Sequence, residues 1–519
     1  MNNYKEQALL EYNSEATAAH PGGISGNPFW NINASQFTFV PSFQFPFIQY
    51  CDEYRFTATD RNGKEHTFDA DKPTASLAPI WADIPTGFVT LKVETIGKIS
   101  RKTKHLIGAR TFFKSEPFPG RDAYPPKARS YREASRKAFQ YAFECGISQH
   151  YLMHGTPKPD YAHNVYPSKT VRSLIHGMIH YAELVPEQAE QAMKVACNAA
   201  DYLLSIRFPA GHPMEGLPPT YSFDGLDATV VNDVARAAQG LKDTVMMIYP
   251  LEVGIALLSL AKATKDEKYF NAAMVIANFY KDNRTPKGSW FLVYDSNTGK
   301  PLKDALCIDF QFVDFFRELY EITGDEGWKK MSEDYYLFIT ETCLKEYKWD
   351  GQFEDSLVAE NYRNLSHFSA NALIGYLAKN KKGDAKSIEI AKDLMRYVED
   401  QFVVWGEFAY WSEEKMDERH TPGGLEQYDC YRPIDSSTAT ILRAFKNMYQ
   451  YTGERLYLEK AMALADLLTR RQDDDGRFPT FFEGENCEHG RYNFWINCHI
   501  HTAGILLELA DLTEAEGIE

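Results

Sequence analysis

One unit recurs along most of this chain: the end of a helix, a tight turn, and the start of a second helix. Its clearest copy is 448–468, MYQYTGERLYLEKAMALADLL, in which Gly453 is placed to end the first helix. Glycine adopts the left-handed conformation needed there without a Cβ penalty. Similar stretches begin at residues 181, 260, 319 and 377. A spacing of about 55–70 residues is too long for the short two-helix solenoids, so the recurrence predicts a larger repeated unit.

Each copy continues into a short segment of glycine and aromatic residues, typical of a small β-turn, and then into a largely apolar helix. The predicted apolar inner helices are 170–184, 249–263, 308–322, 364–379, 434–451 and 496–512. The predicted amphipathic outer helices are 128–145, 186–206, 266–282, 326–347, 384–402 and 455–471. Six pairs with this polarity predict a mostly α fold, an (α/α)6 toroid with an inner ring inside an outer ring. An open helical solenoid is the alternative.

The residues before the helices differ in kind. Segments at 37–40, 54–58 and 88–93 are rich in β-branched and aromatic residues, and Asn62-Gly63 is a strong hairpin signal. Several short strands in about 80 residues predict a small antiparallel β-sandwich. The expected organisation is an N-terminal extension, a β-sandwich domain and a toroid domain. Their expected bounds are 1–35, 36–117 and 128–515.

Composition limits the classes of partner. The chain has 519 residues, of which 44% are hydrophobic, and a formal net charge of −16. Its length suits more than one domain, and its charge argues against nucleic acid and anionic membrane surfaces. The N-terminus lacks a basic region followed by an apolar core, so neither a signal peptide nor a membrane span is predicted. We therefore expect the cytoplasm, or the periplasm or secretion if a leader has been removed.

The order of a β-sandwich followed by a toroid resembles several carbohydrate-active families, and residues 76–93 resemble the last strands of fibronectin type III-like modules with Trp81 as the core aromatic. The similar families are cellulase-type glycosidases with an Ig-like front domain, unsaturated glucuronyl hydrolases, and glucuronyl epimerases. Toroidal polysaccharide lyases instead usually carry their β domain after the toroid. The resemblance covers nearly the whole chain as architecture, without one family's catalytic signature. It implies an enzyme with an oligosaccharide substrate.

Candidate catalytic residues lie where loops enter the inner helices, since those loops surround the mouth of the predicted funnel. Glycoside hydrolysis generally uses two carboxyl groups, and we expect them among Asp309, Asp355 and Glu360. Each of these could instead be a helix N-cap, a position that acidic residues favour anyway. Tyr362 and His367 would act as base and acid in a lyase or epimerase reaction.

The same loops carry groups suited to binding a sugar. Three arginines, each next to a tyrosine, could pair with a uronate carboxylate, or could only knit loops together. Tryptophan faces pack against sugar rings. The predicted substrate-binding residues are Arg363, Arg432, Arg491, Trp290, Trp411, Trp495, Tyr431, Asn493 and His499.

Other chemistries lack their sequence signals. No glycine-rich phosphate loop and no GxSxG elbow is present, which argues against nucleotide-dependent and serine-hydrolase activities. Cys430, Cys487 and Cys498, with His489 and His499, have irregular spacings for a zinc site, so we predict neither metal nor cofactor. The resulting hypothesis is a glycoside hydrolase acting on uronate-containing oligosaccharides. A polysaccharide lyase, a uronate epimerase and a non-catalytic glycan-binding protein are the alternatives.

Overall fold

The N-terminal part of the chain consists of short strands and two helices. A computed structural model describes residues 4–13, 29–49, 51–96, 105–227, 238–354, 362–408, 421–428, 430–481 and 494–518. The first elements are α1 (Tyr4–Asn13), β1 (Gln36–Phe37), β2 (Ser42–Gln44), β3 (Tyr54–Thr59), β4 (Glu65–Ala70), β5 (Thr74–Ser76), α2 (Ala78–Trp81), β6 (Gly87–Thr95) and β7 (His105–Lys114). Burial alternates along β3 and β6, so one face of their sheet is turned to a core.

The strands form a five-stranded sheet in the order β1-β7-β6-β3-β4 and a two-stranded sheet of β2 and β5. Gly63, in the predicted hairpin turn between β3 and β4, has a φ of 81°. β1 and β7 are parallel, which differs from the predicted all-antiparallel arrangement, because β1 is an edge strand that does not join β7 through a hairpin. Trp81 is buried and stacks on Phe112, as expected of a core aromatic. The likeness to a fibronectin type III sandwich stays a prediction.

Helices dominate the rest of the chain, with short strands in the loops between them. The helices are α3 (Tyr131–Glu144), α4 (Gly146–His154), α5 (Pro167–Leu184), α6 (Ala189–Ser205), α7 (Ile248–Thr264), α8 (Glu267–Asp282), α9 (Gln311–Thr323), α10 (Glu326–Phe338), α11 (Leu344–Glu346), α12 (Phe368–Asn380), α13 (Ala385–Phe402), α14 (Asp435–Thr452), α15 (Arg455–Arg471) and α16 (Ile496–Ala515). The strands are β8 (Thr244–Met246), β9 (Val293–Asp295), β10 (Lys300–Pro301), β11 (Val403–Val404) and β12 (Gly423–Gly424). A π-helical turn joins α10 to α11.

Among the described residues, the helices contact one another in six pairs: α5–α6, α7–α8, α9–α10, α12–α13, α14–α15 and α16–α3. The first member of each pair also contacts its neighbours, in the order α5, α7, α9, α12, α14 and α16. α16 then packs against α5, which confirms the predicted adjacency of the first and last inner helices. The inner helices therefore form a closed ring and not an open stack.

Helix bounds follow the prediction closely, and α15 has the predicted bounds. α9 and α12 begin later than predicted, at Gln311 and Phe368. The residues just before α12 pair with other loops instead: Leu365 bridges to Asp350 and Ser366 bridges to Gln427. Backbone groups committed to these bridges are not available to extend the helix.

The outer helix α13 is bonded to the N-terminal sheet through a buried carboxyl group. Oδ1 of Asp400 accepts hydrogen bonds from the backbone N–H groups of Thr38, at 2.6 Å, and Phe39, at 2.7 Å. The side chain of Gln36 donates to the Gln401 carbonyl at 2.5 Å. Burial raises the pKa of Asp400 to about 7. Two main-chain donors that would otherwise be buried without partners are thus satisfied by the helical part of the chain.

Ring closure depends on a close approach of α5 and α16, which can be tested with two glycines. A Cβ on Gly177 of α5 would lie 2.9 Å from Cγ2 and Cδ1 of Ile500 on α16, whereas a Cβ on Gly504 of α16 would meet nothing within 4 Å. Alanine should stabilise an open helical position by roughly 0.5–1 kcal/mol, while overpacking costs about 1–3 kcal/mol. We expect Gly504→Ala to raise the free energy of unfolding and Gly177→Ala to lower it, as measured by urea denaturation. Equal effects of the two changes would mean that the two helices are not in close contact.

Candidate active site

Five polar side chains meet where the inner helices begin, and we call them the central cluster: Lys169, Arg172, Tyr249, Glu252 and Glu354. Lys169 and Arg172 are three residues apart in α5, so they project from the same face of that helix. Tyr249 and Glu252 have the same spacing in α7. Because α5 and α7 are neighbours in the ring, the two faces meet. Two ion pairs result, Lys169–Glu354 and Arg172–Glu252.

Glu354 is held by contacts on both its side chain and its backbone. Its side chain has no exposed surface, and Oε1 accepts a hydrogen bond from Nζ of Lys169 at 2.5 Å. Oε2 accepts from the Tyr249 hydroxyl, while the Glu354 backbone N–H donates to that same hydroxyl oxygen at 3.1 Å. The Tyr221 hydroxyl donates to the Glu354 carbonyl at 2.8 Å. Because both carboxylate oxygens and the backbone of Glu354 are hydrogen-bonded, the carboxylate is fixed in one position.

Glu252 lies one helical turn after Tyr249 and carries the most perturbed carboxyl group of the cluster. Nη1 of Arg172 lies 2.7 Å from its Oε1, and the two side chains are 22% and 12% exposed. Burial raises the pKa of Glu252 to about 7, although Arg172 acts to lower it and the charge of Asp309 raises it further. Oε2 of Glu252 has no hydrogen-bond partner among the described residues. A carboxyl group with this pKa exists in both protonation states at neutral pH.

Asp309, predicted as catalytic, lies two residues before α9 and within electrostatic reach of Glu252. Its Oδ1 accepts from the Gln311 backbone N–H at 2.9 Å, and its Oδ2 accepts from the Gln311 side chain at 3.0 Å. These contacts are those of a helix-capping residue. Burial nevertheless raises the pKa of Asp309. The residue therefore both caps its helix and contributes charge to the site.

Two histidines near the beginnings of inner helices are uncharged at neutral pH. His367, just before α12, is fully buried, and burial lowers its pKa to about 3. Asn371 donates to Nδ1 of His367 at 2.9 Å, and Nε2 has no partner among the described residues. His501 of α16 contacts the Thr440 hydroxyl at 2.8 Å. Burial, with the charges of Arg443, Arg172 and His367, lowers the pKa of His501 well below its usual range.

Trp495, at the start of α16, is the predicted stacking residue that the structure brings to the cluster. Nζ of Lys169 lies 4.6 Å from its ring centroid, in a cation–π contact. The ring of Tyr166 stacks on it at 5.7 Å, and that of His163 lies 3.9 Å away. The indole therefore orients Lys169 and is already covered by neighbouring side chains.

Trp290 and His499 lie in the wall of the ring and not at its mouth. Trp290 has no exposed surface, stacks on Phe312 at 4.4 Å, and donates its indole N–H to the Tyr280 carbonyl at 2.7 Å. Nδ1 of His499 accepts from the Phe478 backbone N–H, and its Nε2 donates to the Ala138 carbonyl at 2.8 Å. Both side chains bind a loop to helices, so neither presents a surface to a substrate.

The remaining described candidates lie nearer the surface. Tyr362 has a φ of 62° and donates its hydroxyl to the Glu346 carbonyl at 2.9 Å. Arg363 and Arg432 are exposed, and the Arg432 guanidinium lies 5.7 Å from the ring centroid of Phe481. Tyr431 is half-buried with its ring 5.9 Å from that of Phe408. Asp355, Glu360, Trp411, Arg491 and Asn493 lie outside the described residues.

The predicted site residues included none of the five members of the central cluster, although two signals in the sequence pointed to three of them. Glu252 is the lone charged residue in the first four turns of an apolar helix, IYPLEVGIALLSL. Lys169, Arg172 and His176 recur at helical spacing along another inner helix. An ionisable group on an otherwise apolar helix either pairs or functions, since burying it alone is costly. Glu354 gave no comparable signal.

Within the described ranges, no group of three or more His, Cys, Asp and Glu side chains is arranged to hold a metal ion. Of the candidate zinc ligands considered in the sequence analysis, Cys487 and His489 fall outside those ranges. The described helices include none with the length and apolarity required to cross a bilayer.

Comparison with solved structures finds matches at low sequence identity and with TM-scores below 0.5. A family 76 glycoside hydrolase from a bovine Bacteroides thetaiotaomicron strain is 9% identical, with a TM-score of 0.46, over 89% of this chain and 93% of its own. Cellobiose 2-epimerase from Spirochaeta thermophila is 13% identical, with a TM-score of 0.45, over 74% of this chain and 98% of its own. An unsaturated glucuronyl hydrolase from Streptococcus agalactiae is 13% identical, with a TM-score of 0.45, over 73% and 91%. The sequence matches no protein-family model, and it has no significant match among curated proteins.

The Lys169–Glu354 pair should contribute to stability as a buried unit. Removing one partner of a buried ion pair leaves an uncompensated charge, at a cost of about 3–5 kcal/mol. We expect Lys169→Met to lower the free energy of unfolding by about 3 kcal/mol. This is the lower end of the range, because the Lys169 side chain is still 19% exposed to solvent. The double variant Lys169→Met/Glu354→Gln should lose less than the sum of the single changes, as measured by urea denaturation. Lys158→Met, which removes an exposed partner of Asp160, should cost less than about 1 kcal/mol. Additive losses at Lys169 and Glu354 would contradict the coupling.

Proposed function

We propose that this chain is a glycoside hydrolase that acts on oligosaccharides, with Glu252 as the general acid. The observation that carries the proposal is the state of Glu252: a pKa of about 7, a guanidinium on one oxygen, and no hydrogen-bond partner on the other among the described residues. A general acid must be protonated at the working pH and must have a free oxygen to reach the leaving group. The enclosed position at the start of the inner helices suits both needs.

Asp309 is the proposed second carboxyl group. It is the acidic group whose charge raises the pKa of Glu252 most, which supports its being near Glu252. Carboxyl groups that act together in glycoside hydrolysis divide into a proton donor and a base or nucleophile. Glu354 is less suited to either role, because its side chain has no exposed surface and is paired with the Lys169 ammonium. Asp309, in contrast, is only half-buried, and among the described residues its oxygens accept from Gln311 alone. We assign Glu354 to holding Lys169 in place.

The lyase and epimerase alternatives need a base that removes a proton from carbon. Burial raises the pKa of Tyr362 to about 12, and its hydroxyl is bonded to a backbone carbonyl. Burial lowers the pKa of His367 to about 3. Neither value is matched to proton abstraction near neutral pH, whereas that of Glu252 is matched to proton donation.

Mass spectrometry of products from an oligosaccharide panel separates the alternatives. Products that have gained water indicate a hydrolase. Unsaturated products without added water indicate a lyase, and an isomer of unchanged mass indicates an epimerase. Binding without any product indicates a glycan-binding protein, and each of these last three results contradicts the proposal.

Replacing the proposed acid should abolish most activity without unfolding the protein. General acid catalysis contributes roughly 10²–10⁴-fold, so we expect Glu252→Gln to lower kcat by that factor. The change also removes the partner of Arg172, so kcat is compared at a temperature at which circular dichroism shows both proteins to be folded. Glu318→Gln is the matched control, because Glu318 also lies on an inner helix and pairs with a cation, Lys262, at 2.6 Å. Asp355→Asn, assayed in parallel, tests the carboxyl group favoured by the sequence. A Glu252→Gln variant within a few-fold of the parent would remove Glu252 from the mechanism.

The pH dependence should report the influence of Arg172 on Glu252. The guanidinium favours the charged carboxylate and so lowers the pKa of Glu252. Without it, the acid stays protonated to higher pH. We expect Arg172→Met to move the alkaline limb of the kcat/KM profile upward by about one pH unit or more, and Arg172→Lys to restore it in part. A limb that stays in place or moves downward would show that Arg172 has only a structural role.

A further inference from the structure

We infer that the site accepts an uncharged sugar ring next to the central cluster and discriminates against a uronate there. This inference rests on the proposed function and names the substrate class. The sequence prediction of a uronate depended on Arg363, Arg432 and Arg491. The structure exposes the first two at the surface, and the third lies outside the described residues.

Both cations of the central cluster are already matched by carboxyl groups. Lys169 lies 2.5 Å from Glu354, and Arg172 lies 2.7 Å from Glu252. A substrate carboxylate could bind either cation only by competing with a carboxylate that the fold holds in place. Breaking a buried pair in that way leaves one negative charge uncompensated, which is costly.

Additional acidic groups surround these two pairs. Asp309 acts electrostatically on Glu252, and Asp435, at the start of α14, acts on Cys498, whose pKa also responds to Lys169. Asp435 is fully buried, and its Oδ2 accepts from the Thr502 hydroxyl at 3.2 Å. The carboxyl groups of Glu252, Glu354 and Asp309 thus outnumber the cations Lys169 and Arg172. A further carboxylate would add a like charge to a group of residues whose cations are already paired.

Histidines do not supply the missing positive charge. His176, on the same face of α5 as Arg172, and His367 both have pKa values lowered to about 3 by burial. Burial also lowers the pKa of His501 well below its usual range. All three are neutral at physiological pH and can form hydrogen bonds without contributing charge.

The polar atoms left without partners suit hydroxyl groups. Among the described residues they include Oε2 of Glu252, Oδ1 of Asp435, Nε of Arg172 and Nε2 of His367. Since Asn371 donates to Nδ1 of His367, Nε2 carries the proton, and the set contains both donors and carboxyl acceptors. A hydroxyl group both donates and accepts and can therefore bond each of these atoms, whereas a carboxylate only accepts and can bond only those that carry a proton. Buried atoms of this kind are normally satisfied by a ligand or by water.

The first test compares sugars that differ only at C6. Pairs of aryl glycosides, each a hexoside and the matching hexuronide in both anomeric forms, are assayed for product release and for binding by calorimetry. We expect at least about tenfold tighter binding of the neutral member, equivalent to about 1.4 kcal/mol. Tighter binding or faster hydrolysis of the uronide would overturn the inference while leaving the hydrolase proposal intact. Preferential binding of the neutral sugar without any product would leave the inference intact and remove the hydrolase proposal.

A second test alters the charge balance within the site. Glu354→Gln and, separately, Glu252→Gln each release one cation from its carboxylate without a large change of volume. We expect the ratio of uronide to hexoside affinity to rise about tenfold in each folded variant, measured by binding and not by turnover. Glu318→Gln, at a distant pair on the inner ring, should leave the ratio unchanged. An unchanged ratio in the cluster variants would show that charge pairing does not set the substrate class.

Discussion

The packing of α16 against α5 is the contact on which the rest of the molecule depends. It turns a row of helix pairs into a closed ring, so that the first turns of the inner helices face one shared lumen. Gly177 permits this approach, because Ile500 occupies the space that a Cβ would take. Side chains there are largely withdrawn from solvent, and those of Lys169 and Arg172 are 19% and 22% exposed. Charged groups placed there must pair with one another, and Lys169, Arg172, Glu252 and Glu354 do so.

Enclosure also explains why one carboxyl group of the cluster differs from another. Glu354 has both oxygens bonded and is fixed, whereas Glu252 has one oxygen paired and one without a partner among the described residues. Burial disfavours the ionised form of Glu252, and Arg172 favours it. The opposition of these two effects, and not either one alone, leaves its pKa close to neutrality. The same two effects make the binding of an additional negative charge in this region unfavourable.

Local patterns in the sequence predicted the helices well, because turns such as the one at Gly453 and apolar periodicity act over a few residues. The expectation that site residues lie at the beginnings of inner helices included Asp309 and Trp495, which lie near the central cluster, and their roles stay a prediction. Contacts between distant segments were not predictable: Lys169 and Glu354 are 185 residues apart in the sequence. Trp290 was predicted to bind substrate but packs on Phe312. The local sequence around a loop tryptophan does not distinguish a side chain that faces a funnel from one that is buried. The resemblance to modular glycosidases described the order of elements but could not indicate which side chains meet.

The hydrogen bonds of Asp400 have a consequence for how this architecture could change in evolution. The sheet and the helical ring look like separable modules in the sequence, yet α13 supplies the acceptor for the N–H groups of the two residues that follow β1. A ring transferred to another chain without its sheet would retain a buried acid with no main-chain donors, and an isolated sheet would retain two unsatisfied amides. Recombination at this junction would therefore destabilise both fragments, since each would lose hydrogen-bond partners. The two parts are inherited most readily as a single cooperative unit.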